Sequence, residues 1–272
     1  EYLAEKYESV ARYLEYDGEK QKERIADLRS QLARLESEDG GYGWMPGFVG
    51  CEWQTREVAT TFARLKMMTG RDMPELERAI QYLSRKEKEH VEEMKRDTTM
   101  QLSFSDIHYL YIRAISGRDT LASHDRYLMR CLRKALARED VALTREQMAV
   151  VTLVLEHLGD KREAKRVRGR MREFLVEDGR NGVAFSYLRG SFTSIDRKLL
   201  NHVFAMEALE ATDTLLPAMR WHLLRQKRVQ AWENPLVNAS AVYALLLQQP
   251  DEQNAHDRIV IDGKQTLEIR DG

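Results

Sequence analysis

Apolar residues recur along this chain at spacings of three and four, the period of one helix face, and short polar or glycine-bearing stretches separate the segments that carry them. Leu3, Tyr7, Val10 and Leu14 predict a helix over residues 1–16. Ile25, Leu28, Leu32 and Leu35 predict a second over about 20–36, with dense charge on its remaining faces. Further segments follow at about 52–68, ending near Gly70, and at 75–95 behind Pro74, a residue suited to a first helical turn. Ser105-Asp106 is the expected cap of a helix with Ile107, Leu110, Tyr111 and Ala114 inward. Helices are expected over 121–138, 145–158, 161–176, 197–210 and 239–248, with Thr144 and Gln147 at capping-box spacing. At the end of the chain the period changes. Ile259 and Ile261, then Asp262-Gly263, then Leu267 and Ile269 read as two short strands about a hairpin turn.

A second order of repetition lies above the helices. Asp39-Gly40-Gly41-Tyr42-Gly43-Trp44-Met45-Pro46-Gly47-Phe48-Val49-Gly50 is too rich in glycine for a helix and marks a structured loop before a helix start. Asp178-Gly179-Arg180-Asn181-Gly182 leads through Phe185 and Tyr187 to Asp196 and another helix. Gln230-Ala231-Trp232 leads through Asn234-Pro235 to Asn238 and a third. Trp44 and Phe185 each stand eleven residues before a polar residue near the helix start, Thr55 and Asp196; Trp232 stands six before Asn238. Repeated helix pairs of this kind build helical arrays or closed helical barrels.

Composition narrows the function classes. The chain has 272 residues, of which 43% are hydrophobic and 32% charged, with a formal net charge of −1. That balance gives no global attraction to nucleic acid, and no apolar run reaches the length of a membrane span. Cys51 and Cys131 are the two cysteines, too few for a disulfide framework or a multi-cysteine zinc site. His90, His108, His157 and His202 fall on separate expected helices without a paired metal-binding spacing, so no metal or other cofactor is expected. Lys161, Arg162, Lys165, Arg166, Arg168, Arg170 and Arg172 form a basic helix around an apolar stripe of Ala164, Val167, Met171 and Phe174. A solvated outer helix accounts for it; a docking face for an acidic partner or nucleic acid is the other reading.

Three segments carry a family resemblance. Gly40-Gly41-Tyr42-Gly43-Trp44-Met45-Pro46-Gly47 resembles the "GGWxWFPG" loop of bacterial α-2-macroglobulin-like proteins. Trp221 to Lys227 followed by Gln230-Ala231-Trp232 resembles their "WLLKQKQTQDW" segment, and the stretch from Asn238 through Ala241-Val242-Tyr243-Ala244-Leu245-Leu246 their "TAxAVYALL" helix. The match runs in order over about residues 20–250. It implies an all-α fold, an α/α-toroid of the terpenoid cyclase and prenyltransferase type, over residues 1–250. Residues 251–272 would then form a short β segment leading into a following domain. It also implies a thioester-domain-like module of an exported protein of the periplasm or cell surface. Its partners would be the other domains of the same polypeptide and the proteases that such proteins trap, with endopeptidase inhibition or host interaction as the function and no enzymatic activity.

Two sets of site residues follow. Cys51 and Gln54 keep the Cys-to-Gln spacing of the family's Cys-x-Glu-Gln thioester motif. Glu52 and Trp53 stand between them in the wrong order, and the loop before them belongs to a later repeat in the family. The expectation is an unjoined pair at an ordinary helix start, with no active thioester. Trp44, Phe185, Tyr187 and Trp232 are expected to pack where loops fold over the barrel mouth, with the indole N–H groups bonded to loop carbonyls. The alternative is an α/α-barrel enzyme acting on a glycan or isoprenoid, with these aromatics lining a central groove. The Asp-rich and zinc motifs of such enzymes are not visible.

Overall fold

The computed structural model describes residues 12, 15, 17–97, 99–117, 120–138, 143–177, 179–187, 195–227, 232, 234–247, 257–261 and 265–269. Apart from Arg12 and Glu15, the predicted helix over 1–16 lies outside the described residues, as does the predicted Asp262-Gly263 turn. The described residues are mainly helical. The helices are α1 (Gly18–Ala33), α2 (Glu52–Thr69), α3 (Pro74–Arg96), α4 (Phe104–Ile115), α5 (Ser123–Leu136), α6 (Arg145–His157), α7 (Lys161–Arg172), α8 (Ile195–Ala208), α9 (Leu216–Arg225) and α10 (Pro235–Leu246). Strands β1 (Leu175–Glu177) and β2 (Val183–Phe185) pair antiparallel, Leu175 opposite Phe185, about a 3-10 turn at Gly179–Asn181. The predicted C-terminal strands are β3 (Asp257–Ile261) and β4 (Gln265–Ile269), with Ile259 opposite Leu267.

Local chemistry sets most of the boundaries. Asp17 accepts from the N–H groups of Glu19 and Lys20 to start α1. Gly70, at φ 66°, closes α2 in the left-handed region that glycine enters freely. The predicted Thr144–Gln147 capping box opens α6. At α4 the cap is Ser103, not Ser105; its hydroxyl accepts from the Asp106 N–H and the Asp106 carboxylate accepts from the Ser103 N–H at 2.6 Å. Ser105 instead lies inside the first turn. The basic helix also ends earlier than its apolar stripe implied. After Arg172 the chain turns into β1, because Leu175 pairs across to Phe185 rather than continuing the helical face. Helix α9 is an addition to the elements expected from periodicity.

Burial divides the helices into two sets. In α6 every residue from Met148 to Leu155 is buried, and in α4 every residue from Asp106 to Arg113. Helices apolar on all sides belong in an interior. By contrast α7 buries one stripe, Ala164, Val167 and Met171, and α1 buries nothing fully. The predicted α1 stripe is only partly covered: Leu32 and Leu35 pack on the core, while Leu28 is exposed. Helix α2 contacts α4, α4 contacts α6, α6 contacts α8, α8 contacts α10, and α10 returns to α2. The intervening helices lie against this series: α3 on α2 and α5, α7 on α6, α9 on α8 and β2.

Side chains fix the relative direction of the inner helices. Arg197, in the first turn of α8, pairs with Glu146 in the first turn of α6 at 3.3 Å and lies 5.6 Å over the ring of Phe104, the first residue of α4. At the other end Arg64, Tyr111, Glu207 and Tyr243 converge from the later halves of α2, α4, α8 and α10. These helices therefore run in the same direction, and α3, α5, α7 and α9 each return the chain from one of them to the start of the next.

Candidate functional site

The loop between α1 and α2 is held from several directions. Glu36 and Tyr42 form an antiparallel bridge, and the Gly43 N–H donates to the Leu35 carbonyl at 2.8 Å. Cys51 N–H donates to the Tyr42 carbonyl at 2.9 Å. Thr55 Oγ1 accepts from the Tyr42 N–H at 2.9 Å and donates to the Cys51 carbonyl at 2.8 Å. The Tyr82 hydroxyl, reaching across from α3, donates to the Gly50 carbonyl at 2.8 Å. A Cβ on Gly41 would stand 2.6 Å from the Tyr82 ring, so the approach of ring to backbone requires glycine there. In the third repeat Asn238 plays the part of Thr55: its Oδ1 accepts from the Trp232 N–H at 3.0 Å. In two of the three repeats, then, the polar residue near the helix start ties the aromatic loop to the helix.

Cys51 is the N-cap residue of α2, half-buried, with no side-chain cap bond. Gln54 is one turn further on, half-buried, and its Oε1 has no hydrogen-bond partner among the described residues. Glu52 between them turns outward and pairs with Arg56 at 3.3 Å. Cys131, the other free cysteine, lies half-buried on α5.

The four predicted aromatics do not gather in one place. Trp44 was expected in the packed mouth, but it is 63% exposed and stacks on Trp53, with ring centroids 5.7 Å apart and planes 9° apart. The buried aromatic of that loop is Tyr42. The difference arises from the turn at Met45–Phe48, closed by the Phe48 N–H on the Met45 carbonyl, which carries Trp44, Met45, Phe48 and Val49 off the surface. Phe185 is buried and Tyr187 half-buried, and they line a cavity of about 370 Å³ with Lys198, His202 and His222. Trp232 is buried elsewhere, its indole N–H donating at 3.2 Å to the carbonyl of Leu223, which belongs to the last turn of α9 and not to a loop.

A buried polar network joins the later halves of α2, α4, α8 and α10. The Arg64 guanidinium donates to Glu207 Oε2 at 2.8 Å, to the Tyr111 hydroxyl at 3.1 Å and to Ser240 Oγ at 3.4 Å. Glu207 Oε1 accepts from Tyr111 at 2.5 Å and from Tyr243 at 2.9 Å. The guanidinium also lies 4.9 Å over the Phe204 ring and 4.7 Å over that of Tyr243. Burial disfavours the charged Arg64, but the Glu207 carboxylate outweighs it and raises its pKa. Both oxygens of Glu207 are thus engaged by described residues. Periodicity could not reveal this network, since each of these residues looks like an inward position on its own helix; the signal was the presence of Arg64 and Glu207 among apolar neighbours.

Toward the starting end, burial together with Arg56, Arg64 and Arg197 lowers the His108 pKa to about 3, so its ring is neutral; its Nε2 lies 2.9 Å from Thr60 Oγ1. Glu87 of α3 is buried facing Asp106, and burial first, then that second carboxylate, raise its pKa to about 8. His90 approaches the same Asp106 at 3.4 Å. Among the described residues no cluster of three or more His, Cys, Asp or Glu could hold a metal ion, and no helix is long and apolar enough to cross a membrane. No protein-family model and no curated protein sequence matches the chain.

Proposed function

We propose that the chain is a helical module, an α/α-toroid, of an exported bacterial α-2-macroglobulin-like protein, acting in protease trapping without a thioester of its own. The observation that carries this reading is the cyclic order of contacts among α2, α4, α6, α8 and α10, combined with the three family-like segments in their family order. Parallel inner helices joined one to the next through outer helices are the arrangement a toroid requires. The Arg64–Glu207 cluster supports a scaffold rather than an α/α-barrel enzyme, because it occupies the space where a glycan or isoprenoid would sit. The displaced glutamate after Cys51 supports the absence of a thioester.

In this reading the exposed Trp44, Met45, Phe48 and Trp53 face other domains of the same polypeptide, where exposed apolar side chains find cover. The periplasm or cell surface follows as the site of action. The test is made on the full-length protein. It is incubated with a protease that cuts it, and the mixture is separated by size. Trapping predicts that protease co-elutes with the cleaved protein, still hydrolyses a small chromogenic substrate and no longer hydrolyses a large protein. Protease that elutes alone with full activity on the large substrate overturns the reading.

A further inference from the structure

Charge is unevenly spread along this chain. Residues 123–172 hold thirteen Lys and Arg against seven Asp and Glu, although the whole chain is at −1. Three of those seven acids are turned to structural use: Asp125 pairs with Arg113, Glu146 with Arg197 and Glu156 with Arg168. The basic helix α7 divides in the same way. Arg168 bridges Glu156 and Glu210, and Arg172 pairs with Asp213, so these two fasten α7 to its neighbours. Arg166 also ties α7 to α5, donating to the Leu136 carbonyl at 3.0 Å, while Lys161, Arg162 and Lys165 are exposed.

Two cavities adjoin along the outer side of α5 and share Arg133. One, of about 660 Å³, is lined by Arg133, Arg138, Arg166 and Arg170 of α5, its end and α7. The other, of about 880 Å³, is lined by Arg126, Arg130 and Arg133 and reaches the turn between α6 and α7. Leu136 and Ala137 contribute apolar surface to the first, and Leu121, Met129 and Leu158 to the second. Among the described residues that line the first cavity, Asp160 and Glu163 are the acids, engaged by Arg133 at 3.4 Å and Arg166 at 2.8 Å. Arg130 is exposed and Arg170 half-buried. Neither has a hydrogen-bond or ion-pair partner among the described residues.

From this juxtaposition of an arginine-lined groove with an apolar floor, we propose that the α5–α7 face binds an acidic polypeptide segment. Guanidinium groups match carboxylates two hydrogen bonds at a time, which gives an extended acidic chain a defined register. The leucine and methionine surface between the arginines takes the stems of its side chains. A nucleic acid is the less suited polyanion. Among the described residues that line it, the groove presents no Phe, Tyr or Trp on which a base could stack, and a single imidazole, that of His157, lies at its far end. Beyond a Debye length of about 8 Å, a long polyanion would also meet a surface that is acidic outside residues 123–172. The proposal does not depend on the family reading of the chain.

The test uses the whole chain and a fluorescein-labelled oligoglutamate peptide followed by fluorescence anisotropy. Binding is expected at low ionic strength and should weaken steadily with salt. The double variant Arg130→Glu/Arg170→Glu should lose about tenfold or more in affinity. An equal charge change on α1, Lys20→Glu/Arg24→Glu, should lose almost none. Circular dichroism checks that each variant keeps its helix content. On the unaltered chain, oligoglutamate should also protect Arg130 and Arg170 from phenylglyoxal, read by peptide mass mapping, so that a misfolded variant does not leave the question open. No binding, equal loss in both double variants, or no protection overturns the proposal. Tighter binding of a single-stranded oligonucleotide of equal charge, through the same arginines, overturns it in favour of nucleic acid.

Discussion

Replacing Arg64 with methionine keeps much of the side chain's volume and removes its charge. The guanidinium is 6% exposed and its partner Glu207 2% exposed, so the variant leaves a carboxylate in the interior with only the Tyr111 and Tyr243 hydroxyls to solvate it. Removing one member of a buried ion pair costs about 3–5 kcal/mol. The lost cation–π contacts with Phe204 and Tyr243 add about 1 kcal/mol. That sum is a large share of the roughly 5–15 kcal/mol that holds a domain folded. Urea unfolding followed by circular dichroism at constant m-value reads the loss directly. The companion variant Arg64→Met/Glu207→Gln should be less destabilised than the two single changes summed, by about 2–3 kcal/mol. If Arg64→Met costs under about 1 kcal/mol, the value of an exposed pair, or if the changes add, the network is not the buried one described above.

Trp44→Ala should cost under about 1 kcal/mol, because the ring is mostly exposed, while Trp232→Ala should cost about 3–5 kcal/mol in the same urea assay. Equal losses would refute the contrast. Glu87 binds its proton more tightly folded than unfolded, so its contribution is fully present below pH 4.5 and is lost as pH rises through about 8. Glu87→Gln should therefore remove a decline of roughly 3–5 kcal/mol across that window; parallel pH–stability curves for variant and parent would refute it. Gly41→Ala forces a methyl group onto the Tyr82 ring and should lower the thermal midpoint; an unchanged midpoint would show that the loop can shift away.

The helices were legible because their apolar residues repeat at the right period and their caps sit in plain view, as at Gly70 and Thr144–Gln147. What could not be read lay in contacts between elements. Trp44 is a large aromatic in a glycine-rich loop, the usual signature of burial, yet the turn at Met45–Phe48 points it outward and Tyr42 fills the interior instead. Helix α9 carries the same period, Leu216, Met219 and Leu223 at spacings of three and four, but over only ten residues and three apolar positions. The cluster of Arg64, Tyr111, Glu207 and Tyr243 draws on four helices up to 176 residues apart in sequence, counting the bond from Arg64 to Ser240, so no local pattern announces it. The basic helix was plain as a composition, but which arginines fasten it and which face outward depended on Glu156, Glu210 and Asp213, none of them on that helix.

The central claim is a scaffold whose side chains stay unjoined at Cys51 and Gln54. Intact-mass measurement of the chain, with and without methylamine, tests it most directly. A thioester between the two would expel one ammonia and hide the thiol, and methylamine would open it by adding to Gln54. The predicted result is the full sequence mass, no uptake of methylamine, and a Cys51 thiol that reacts with a maleimide once the chain is unfolded. A mass short by one ammonia, mapped to the peptide that holds both residues and raised by one whole methylamine on treatment, with the Cys51 thiol freed, would contradict the claim and make the module a covalent trap.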